Sequence, residues 1–126
     1  MMAKTLTIRI SSVDEGLRRF RETYKAVAAG RPVARREGVY FTSLAAARNL
    51  LTRSRLDLLR AVRTKRPRSI YELAKIVGRD LKNVQDDLRI LERYGLVRVS
   101  WGLTIGKRRV KTPQAMFGEI ALRIAI

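Results

Sequence analysis

Apolar residues occupy every second position in two short segments, Thr5–Ile10 near the start of the chain and Glu119–Ile126 at its end. This two-residue period predicts half-buried β-strands. Terminal segments are poorly ordered unless they are tied down. We therefore expect the two strands to pair with each other, either within one subunit or across a two-fold axis.

A helical period follows the first strand. Apolar residues recur at intervals of four, three, four and three positions, at Val13, Leu17, Phe20, Tyr24 and Val27. This spacing places them in one narrow stripe of an amphipathic helix, and Gly30 marks its end. The stripe residues that are candidates either for the core or for a dimer surface are Leu17, Phe20, Tyr24 and Val27.

Residues 1–52 are predicted to form an N-terminal extension. After the first strand and helix, Val39–Phe41 indicates a short strand, and Ser43 opens a second helix that ends near Leu51. This extension of strand, helix, strand and helix is expected either to pack against the rest of the chain or to dimerise.

Residues 53–113 show the order of a winged helix-turn-helix. Helical periods cover three segments, of which the second ends at Gly78 and the third follows Asp80 and stops at Gly95. Two strand segments around a glycine-containing turn come next. Three helices with a tight turn before the third, then a basic hairpin, define that motif. The predicted fold class is mainly α with a small β part (α+β), with residues 114–126 as a C-terminal strand segment.

The third of these helices has a core face and a polar face. Four apolar residues fall within one third of its circumference and are expected to face the core: Leu81, Val84, Leu88 and Leu91. The Asp80 carboxylate is expected to cap the first amides. The second helix of a helix-turn-helix places its N-terminal half against base edges in the major groove. The base-reading candidates are therefore Lys82, Asn83, Gln85, Asp86 and Arg89.

These side-chain types suit base recognition, because they can donate to guanine, pair with adenine or accept from cytosine. The alternative is a solvated helix face held by exposed ion pairs, each of which contributes only a few tenths of a kcal/mol.

Further cations are candidates for contacts with phosphates. The return strand of the hairpin is basic, as expected of a wing that lies along the DNA backbone or in the minor groove. A basic loop before the second helix of the unit is either a second backbone contact or only a solvated surface. The backbone and wing candidates are Arg79, Arg93, Lys107, Arg108, Arg109, Lys111, Lys65, Arg66 and Arg68.

Composition narrows the choice of partner. The 126 residues contain 28 Lys and Arg against 11 Asp and Glu, for a formal charge of +17. A charge of roughly 2–8 already keeps a small domain soluble, so this excess favours a polyanionic partner, above all nucleic acid. The chain has no cysteine and no histidine. This composition excludes disulfides, Cys or His metal sites and His-dependent catalytic triads.

Other function classes are not expected. The acidic residues lie at positions that helix capping or ion pairing explains, so we predict no enzyme, no cofactor and no metal. No signal peptide or membrane span is expected, and the cytoplasm is the expected location.

Several short runs of the chain carry a resemblance to a known family, namely Arg55–Leu59, Arg66–Ser69, Glu72–Ala74, Gly78–Asp80, Asn83, Val84, Leu91, Glu92, Gly95–Val97, Phe41–Leu44, Glu119 and Ile120. Through these residues, the segment 55–126, and more loosely the whole chain, resembles an uncharacterised family of predicted prokaryotic transcriptional regulators. That family was first described from haloarchaeal members and is loosely similar to MarR- and ArsR-like winged helices. The resemblance implies a DNA-binding regulator, and some relatives look like the antitoxin halves of toxin–antitoxin pairs.

The sequence therefore predicts a sequence-specific binder of double-stranded DNA, a repressor or an antitoxin-type autoregulator. It is expected to be a homodimer, with a toxin protein as a further partner if it is an antitoxin. A general architectural DNA-binding protein is the alternative, since the charge alone would suffice for it. An RNA-binding module is the weaker third choice, because no exposed cluster of aromatic residues for base stacking is evident.

Overall fold

A computed structural model of the chain describes residues 4–30, 38–106 and 108–126. Within these residues, five helices and five strands form an α+β protein. In chain order the elements are β1 (Thr5–Ile10), α1 (Val13–Ala28), β2 (Gly38–Phe41), α2 (Leu44–Leu50), α3 (Arg53–Lys65), α4 (Ile70–Val77), α5 (Leu81–Arg93), β3 (Val97–Ile105), β4 (Arg108–Ala115) and β5 (Glu119–Ile124). The predicted wing residue Lys107 and the side chain of Val27 lie outside the described part of the chain.

The chain divides into two compact units. The helical unit is built on Leu50–Glu119, and the sheet unit combines Thr5–Asn49 with Ile120–Ile126. The sheet unit therefore draws on both ends of the chain, whereas the helical unit is nearly continuous in sequence. None of the helices in the described part of the chain is both long and apolar enough to cross a membrane.

In the sheet unit, β1 is the central strand of a three-stranded sheet with the order β2-β1-β5. Strands β1 and β2 are parallel. Gly118 N–H donates to the Lys4 carbonyl and Ala125 N–H donates to the Ile10 carbonyl, each at 2.9 Å. The first bond joins the starts of β1 and β5, and the second joins their ends. Strand β5 therefore also runs parallel to β1.

The side chains of β1 explain its central position. Leu6, Ile8 and Ile10 are at most 5% exposed, so one face of the strand lies entirely in the core. Gly38 begins β2 where a Cβ atom would lie only 2.9 Å from the carbonyl oxygen of Thr7. Glycine at this position therefore allows the two strands to approach to hydrogen-bonding distance.

Helix α1 turns its less apolar side toward β2. The Arg19 guanidinium lies 5.4 Å from the centre of the Tyr40 ring, and a Cβ atom at Gly16 would be 3.7 Å from the same ring. On the solvent side of the helix, the hydrogen bond and the charge of Glu15 raise the pKa of Arg18 above its ordinary value.

The apolar stripe of α1 is not part of the core. Leu17, Phe20 and Tyr24 are 51%, 70% and 68% exposed, so of the two alternatives that the sequence leaves open, core or dimer surface, the structure contradicts the core. The stripe lies roughly 100° around the helix from the side that meets Tyr40. The side of the helix that meets Tyr40 is therefore not the side that carries the stripe, and the stripe is left exposed.

The helical unit packs α3, α4 and α5 against the antiparallel hairpin of β3 and β4. Its least exposed large side chains come from all of these helices and from the start of the hairpin, namely Leu58, Leu73, Val84, Leu88, Leu91, Leu96 and Val97. Three of the four residues predicted to face the core from α5 are buried. Leu81 is the exception, with 36% of its surface exposed, because it lies in the first turn, at the edge of the core.

The helix starts differ in how their first amides are satisfied. The hydroxyls of Thr52 and Ser69 accept from the amides of Arg55 and Glu72 at 3.2 and 3.0 Å. Asp80 has the extended backbone of an N-cap but its side chain makes no capping hydrogen bond, so the predicted carboxylate cap is wrong. The start of α5 depends instead on backbone bonds, including the one from Val84 N–H to the Asp80 carbonyl at 3.1 Å.

The hairpin is longer than the two strands that the sequence predicts, Leu96–Trp101 and Lys107–Thr112. Strand β3 continues past Gly102 to Ile105, and the chain turns at Gly106, where φ is +63°. A register shift between Trp101 and Leu103 places Gly102 in a bulge. Because Gly102 lies in the bulge, it does not end the strand, and the pairing of β3 with β4 continues beyond it.

Replacement of Leu88 by Ala tests the core of the helical unit. Leu88 is 2% exposed, so Leu88→Ala should lower the free energy of unfolding by roughly 2–5 kcal/mol. Leu81→Ala is the matched control on the same helix and should cost about 1 kcal/mol or less. Urea titration followed by circular dichroism measures both values. Equal losses for the two variants would contradict the assignment of the buried face of α5.

Candidate nucleic-acid interface

A turn of three residues, Gly78–Asp80, joins α4 to α5. Gly78 adopts a left-handed conformation with φ of +66°, and its N–H donates to the carbonyls at the end of α4. Arg79 N–H donates to the Ala74 carbonyl at 3.1 Å. This closed helix end lets α5 start immediately after the turn, and glycine is suited to it because its left-handed backbone carries no Cβ penalty.

The outward side of α5 is solvent-exposed and rich in hydrogen-bonding groups. At about 100° per residue, burial of Val84, Leu88 and Leu91 directs the polar residues of the helix away from the core. The only ion pair described among them joins Arg89 to Asp86 at 3.2 Å, and both partners are largely exposed. The predicted candidates that the structure exposes on this side are Lys82, Asn83, Asp86, Arg89 and Arg93.

Gln85 belongs to a different part of the surface. It is half-buried and lines a shallow cavity of about 360 Å³ between α4, α5 and the hairpin. Trp101 and Lys111 line the same cavity. Among the five base-reading candidates, Gln85 therefore faces the hairpin and the other four face solvent.

Asp87 holds two arginines inside the helical unit. Its carboxylate accepts from Arg55 Nε of α3 at 3.0 Å and from an Arg79 terminal nitrogen at 2.7 Å. The three side chains are only 14–28% exposed. Arg79 was predicted as a phosphate contact, but its guanidinium is directed inward to Asp87, and its other terminal nitrogen is buried without a partner.

The hairpin is attached to α5 by a side-chain contact. The Glu92 carboxylate accepts from Val99 N–H at 3.1 Å. On the return strand, Arg108 and Arg109 are exposed, and no ion pair is described for either. The Lys111 ammonium lies 5.3 Å from the centre of the Trp101 ring. The exposed cations of β4 are thus held on the same body as α5.

The loop before α4 is tied to the hairpin as well. Thr112 donates its hydroxyl to the Arg68 carbonyl at 2.8 Å, and Pro67 is buried. Arg66 has a left-handed backbone with φ of +47°. Lys65 and Arg66 are exposed, whereas the Arg68 side chain pairs with Glu72 at 3.3 Å. The loop is therefore ordered by its backbone contacts, and its cations point to solvent.

Three features of this surface were missed from sequence. Arg63 lines a cavity of about 490 Å³ together with Arg66 and Arg68. Its position on the last turn of α3, next to the basic loop, could have indicated from sequence that it belongs to this surface. Tyr71 and Trp101 are 59% and 57% exposed and line one cavity. The expectation of no exposed aromatic cluster is therefore incorrect for this surface.

No group of three or more His, Cys, Asp or Glu side chains is arranged to hold a metal ion in residues 4–30, 38–106 and 108–126. The polar groups of this surface are mainly hydrogen-bond donors with positive charge. Such an arrangement can bind anionic groups and the edges of planar hydrogen-bonding ligands.

These elements define an α+β protein whose helical unit exposes a polar helix face beside a basic hairpin. Residues 50–120 match the family model HVO_A0114, so the chain belongs to this haloarchaeal family. The match covers nearly the whole helical unit and confirms the family part of the resemblance; the family description assigns no activity. No curated protein and no solved structure gave a match.

Removal of the Asp87 carboxylate tests the internal ion network. Asp87→Ala leaves two partly buried arginines without their counter-charge and should lower the free energy of unfolding by roughly 2–4 kcal/mol. Asp86→Ala, one residue earlier and exposed, should change it by less than about 0.5 kcal/mol. Chemical denaturation at pH 7 measures both. A loss for Asp87→Ala as small as that for Asp86→Ala would contradict a structural role of the network.

Proposed function

We propose that the helical unit is a winged helix-turn-helix and that the protein binds double-stranded DNA in a sequence-specific manner as a transcriptional regulator. In this proposal α4 and α5 are the helix-turn-helix pair, α5 enters the major groove, and the β3–β4 hairpin is the wing. The observation that carries the proposal is the outward face of α5, which is exposed, polar and presented immediately after a closed three-residue turn.

The residue types on α5 support base reading rather than simple charge attraction. Asn83 can pair with adenine, and Lys82 or Arg89 can donate to guanine. The exposed Asp86–Arg89 pair would orient the guanidinium for such a contact, because an arginine with its rotamer already restricted loses less entropy on binding. Four candidates lie within one exposed face, which matches the few side chains that one helix can insert into a groove.

The hairpin and the loop before α4 supply cations for the phosphates. Arg108 and Arg109 on the hairpin and Lys65 and Arg66 in the loop are exposed. None of the four forms an ion pair with another residue of the described part of the chain, which leaves them available to phosphates. If about six phosphates are neutralised, the logarithm of affinity should fall with the logarithm of salt with a slope near −5. We assign Arg79 no direct phosphate contact, because its guanidinium is held in a partly buried pair with Asp87. Arg68 remains a candidate, since its pair with Glu72 is exposed like the pair of Arg89 with Asp86.

A regulator of this kind would act in the cytoplasm, where a prokaryotic cell keeps its DNA. Both a repressor and an antitoxin-type autoregulator use the same DNA contacts. The two differ in whether a toxin protein is the second partner.

A binding titration tests the proposal directly. The purified protein is titrated against the DNA upstream of its own gene and against a duplex of the same composition in scrambled order, at several salt concentrations. We expect a preference of at least about a thousandfold that persists as salt rises. Equal binding to both duplexes, lost together at high salt, would refute sequence reading and support an architectural DNA-binding protein instead.

Two arginine variants separate base reading from phosphate binding. Arg89→Ala should reduce discrimination between the two duplexes by roughly 1–3 kcal/mol, because it removes a base contact. Arg108→Ala should weaken binding to both duplexes alike and make the salt slope shallower by about one unit. Fluorescence anisotropy with labelled duplexes measures both quantities. The same effect of both variants on both duplexes would contradict the assigned roles.

A further inference from the structure

The apolar stripe of α1 is the most extensive apolar helix face that the described part of the chain leaves uncovered. Val13, Leu17, Phe20 and Tyr24 are between 51% and 70% exposed. They follow one another along a single 16-residue helix. Isolated exposed apolar residues are ordinary on protein surfaces, whereas a contiguous set bordered by charges marks an interaction site.

The spacing of the stripe identifies the kind of element that covers it. Its intervals of four, three and four residues are those of the a and d positions of a heptad, with Val13 and Phe20 at d and Leu17 and Tyr24 at a. A stripe restricted to these positions is the narrow seam of a two-helix coiled coil, not the broad face of a helix packed on a sheet. The covering element is therefore another helix.

One border of the seam is already occupied by the subunit's own sheet. Gly16 and Arg19 lie on that border and meet Tyr40. The opposite border carries Asp14 and Arg21, which are both exposed and occupy the heptad e positions. A second helix can therefore approach the seam from outside and meet Asp14 and Arg21 at its edge.

We propose that α1 pairs with α1 of a second copy of this chain in an antiparallel two-helix interface, with Leu17 opposite Phe20 and Val13 opposite Tyr24. In this register Asp14 of each copy faces Arg21 of the other, so the interface contains two equivalent ion pairs. The inference goes beyond the proposed function, because the pairing requires no DNA.

Charge complementarity selects this arrangement among those that the seam allows. A parallel pair would place e positions against g positions, and the g positions here are the uncharged Gly16 and Thr23. An antiparallel pair shifted by one heptad would place Arg21 against Arg21, which is repulsive. Only the proposed register brings opposite charges together at both ends.

Asp14 lies in the first turn of α1, where its charge interacts favourably with the helix dipole, but it does not interact with Arg21 within one helix. Asp14 and Arg21 are seven residues apart, about 10.5 Å along the axis, so they cannot pair with each other in one helix. The neighbouring Arg18 is held by both oxygens of Glu15 at 2.8 Å. Compensation between substitutions at positions 14 and 21 can therefore arise only between two copies.

The assembly also accounts for how such a protein would recognise an operator. An antiparallel helix pair has a two-fold axis, so the same surface is used by both copies. A two-fold dimer that carries two DNA-binding units reads an inverted repeat. Since one helix from each copy forms the interface, its area is small and we expect dissociation in the micromolar range.

Sedimentation equilibrium of the full chain without DNA tests the seam. The unmodified protein should be in monomer–dimer equilibrium, and Phe20→Glu should be monomeric throughout the micromolar range with unchanged helix content by circular dichroism. Leu122→Glu is the control, since Leu122 is 51% exposed in the same unit but lies on β5. A monomeric unmodified protein would overturn the proposal, as would loss of the dimer in Leu122→Glu but not in Phe20→Glu.

Charge reversal tests the register. Arg21→Asp alone and Asp14→Arg alone should each weaken the dimer by at least about tenfold, because like charges then face each other. The double variant Asp14→Arg/Arg21→Asp should return the dissociation constant to within about threefold of the original value, since the pairs are restored in reverse. A folded double variant that associates no better than the single variants would overturn the antiparallel register. Because no DNA is present, failure here leaves the proposed function untouched.

Discussion

The contact on which the helical unit depends most is the carboxylate of Asp87 between two arginines. It connects α5 to Arg55 on α3 and to Arg79 in the turn that precedes α5. Burial of Val84, Leu88 and Leu91 sets which face of α5 meets the core. The two hydrogen-bonded ion pairs have defined geometry and add a directional constraint on the rotation of α5 about its axis. Burial and ion pairs together direct the polar face of the helix outward.

The ion pairs also decide which charges are available to a partner. Arg55 and Arg79 are paired with the partly buried Asp87, and their contribution to external electrostatics is reduced. Arg108 and Arg109 on the hairpin stay exposed, and Glu92 holds the hairpin against α5 through the amide of Val99. The cations behind the +17 charge of the chain therefore differ in their role. Some form ion pairs inside the helical unit, and others are exposed on the hairpin beside the polar face of α5.

The sheet unit illustrates a different constraint. Its central strand is covered on both edges, by β2 and by the C-terminal β5, so the two ends of the chain stabilise one sheet. Helix α1 meets this sheet through Gly16 and Arg19 at Tyr40 and leaves its apolar seam to solvent. The side of α1 that meets the sheet is not the side that carries the seam, and the exposed seam is the physical basis of the proposed pairing between copies.

Elements whose signals are local follow from the sequence alone. The structure contains the strand, the helix and the helix end that three such signals predict, namely the alternation in Thr5–Ile10, the apolar spacing in α1 and the glycine stop at Gly78. Tertiary structure alone decided the partner of each exposed group. From sequence, Arg79 is predicted to be a cation available for phosphate. In the structure it pairs with Asp87, which lies eight residues away and also pairs with Arg55 from another helix. The stripe of α1 has the same pattern whether it is buried or exposed, because periodicity specifies a face and not what covers it.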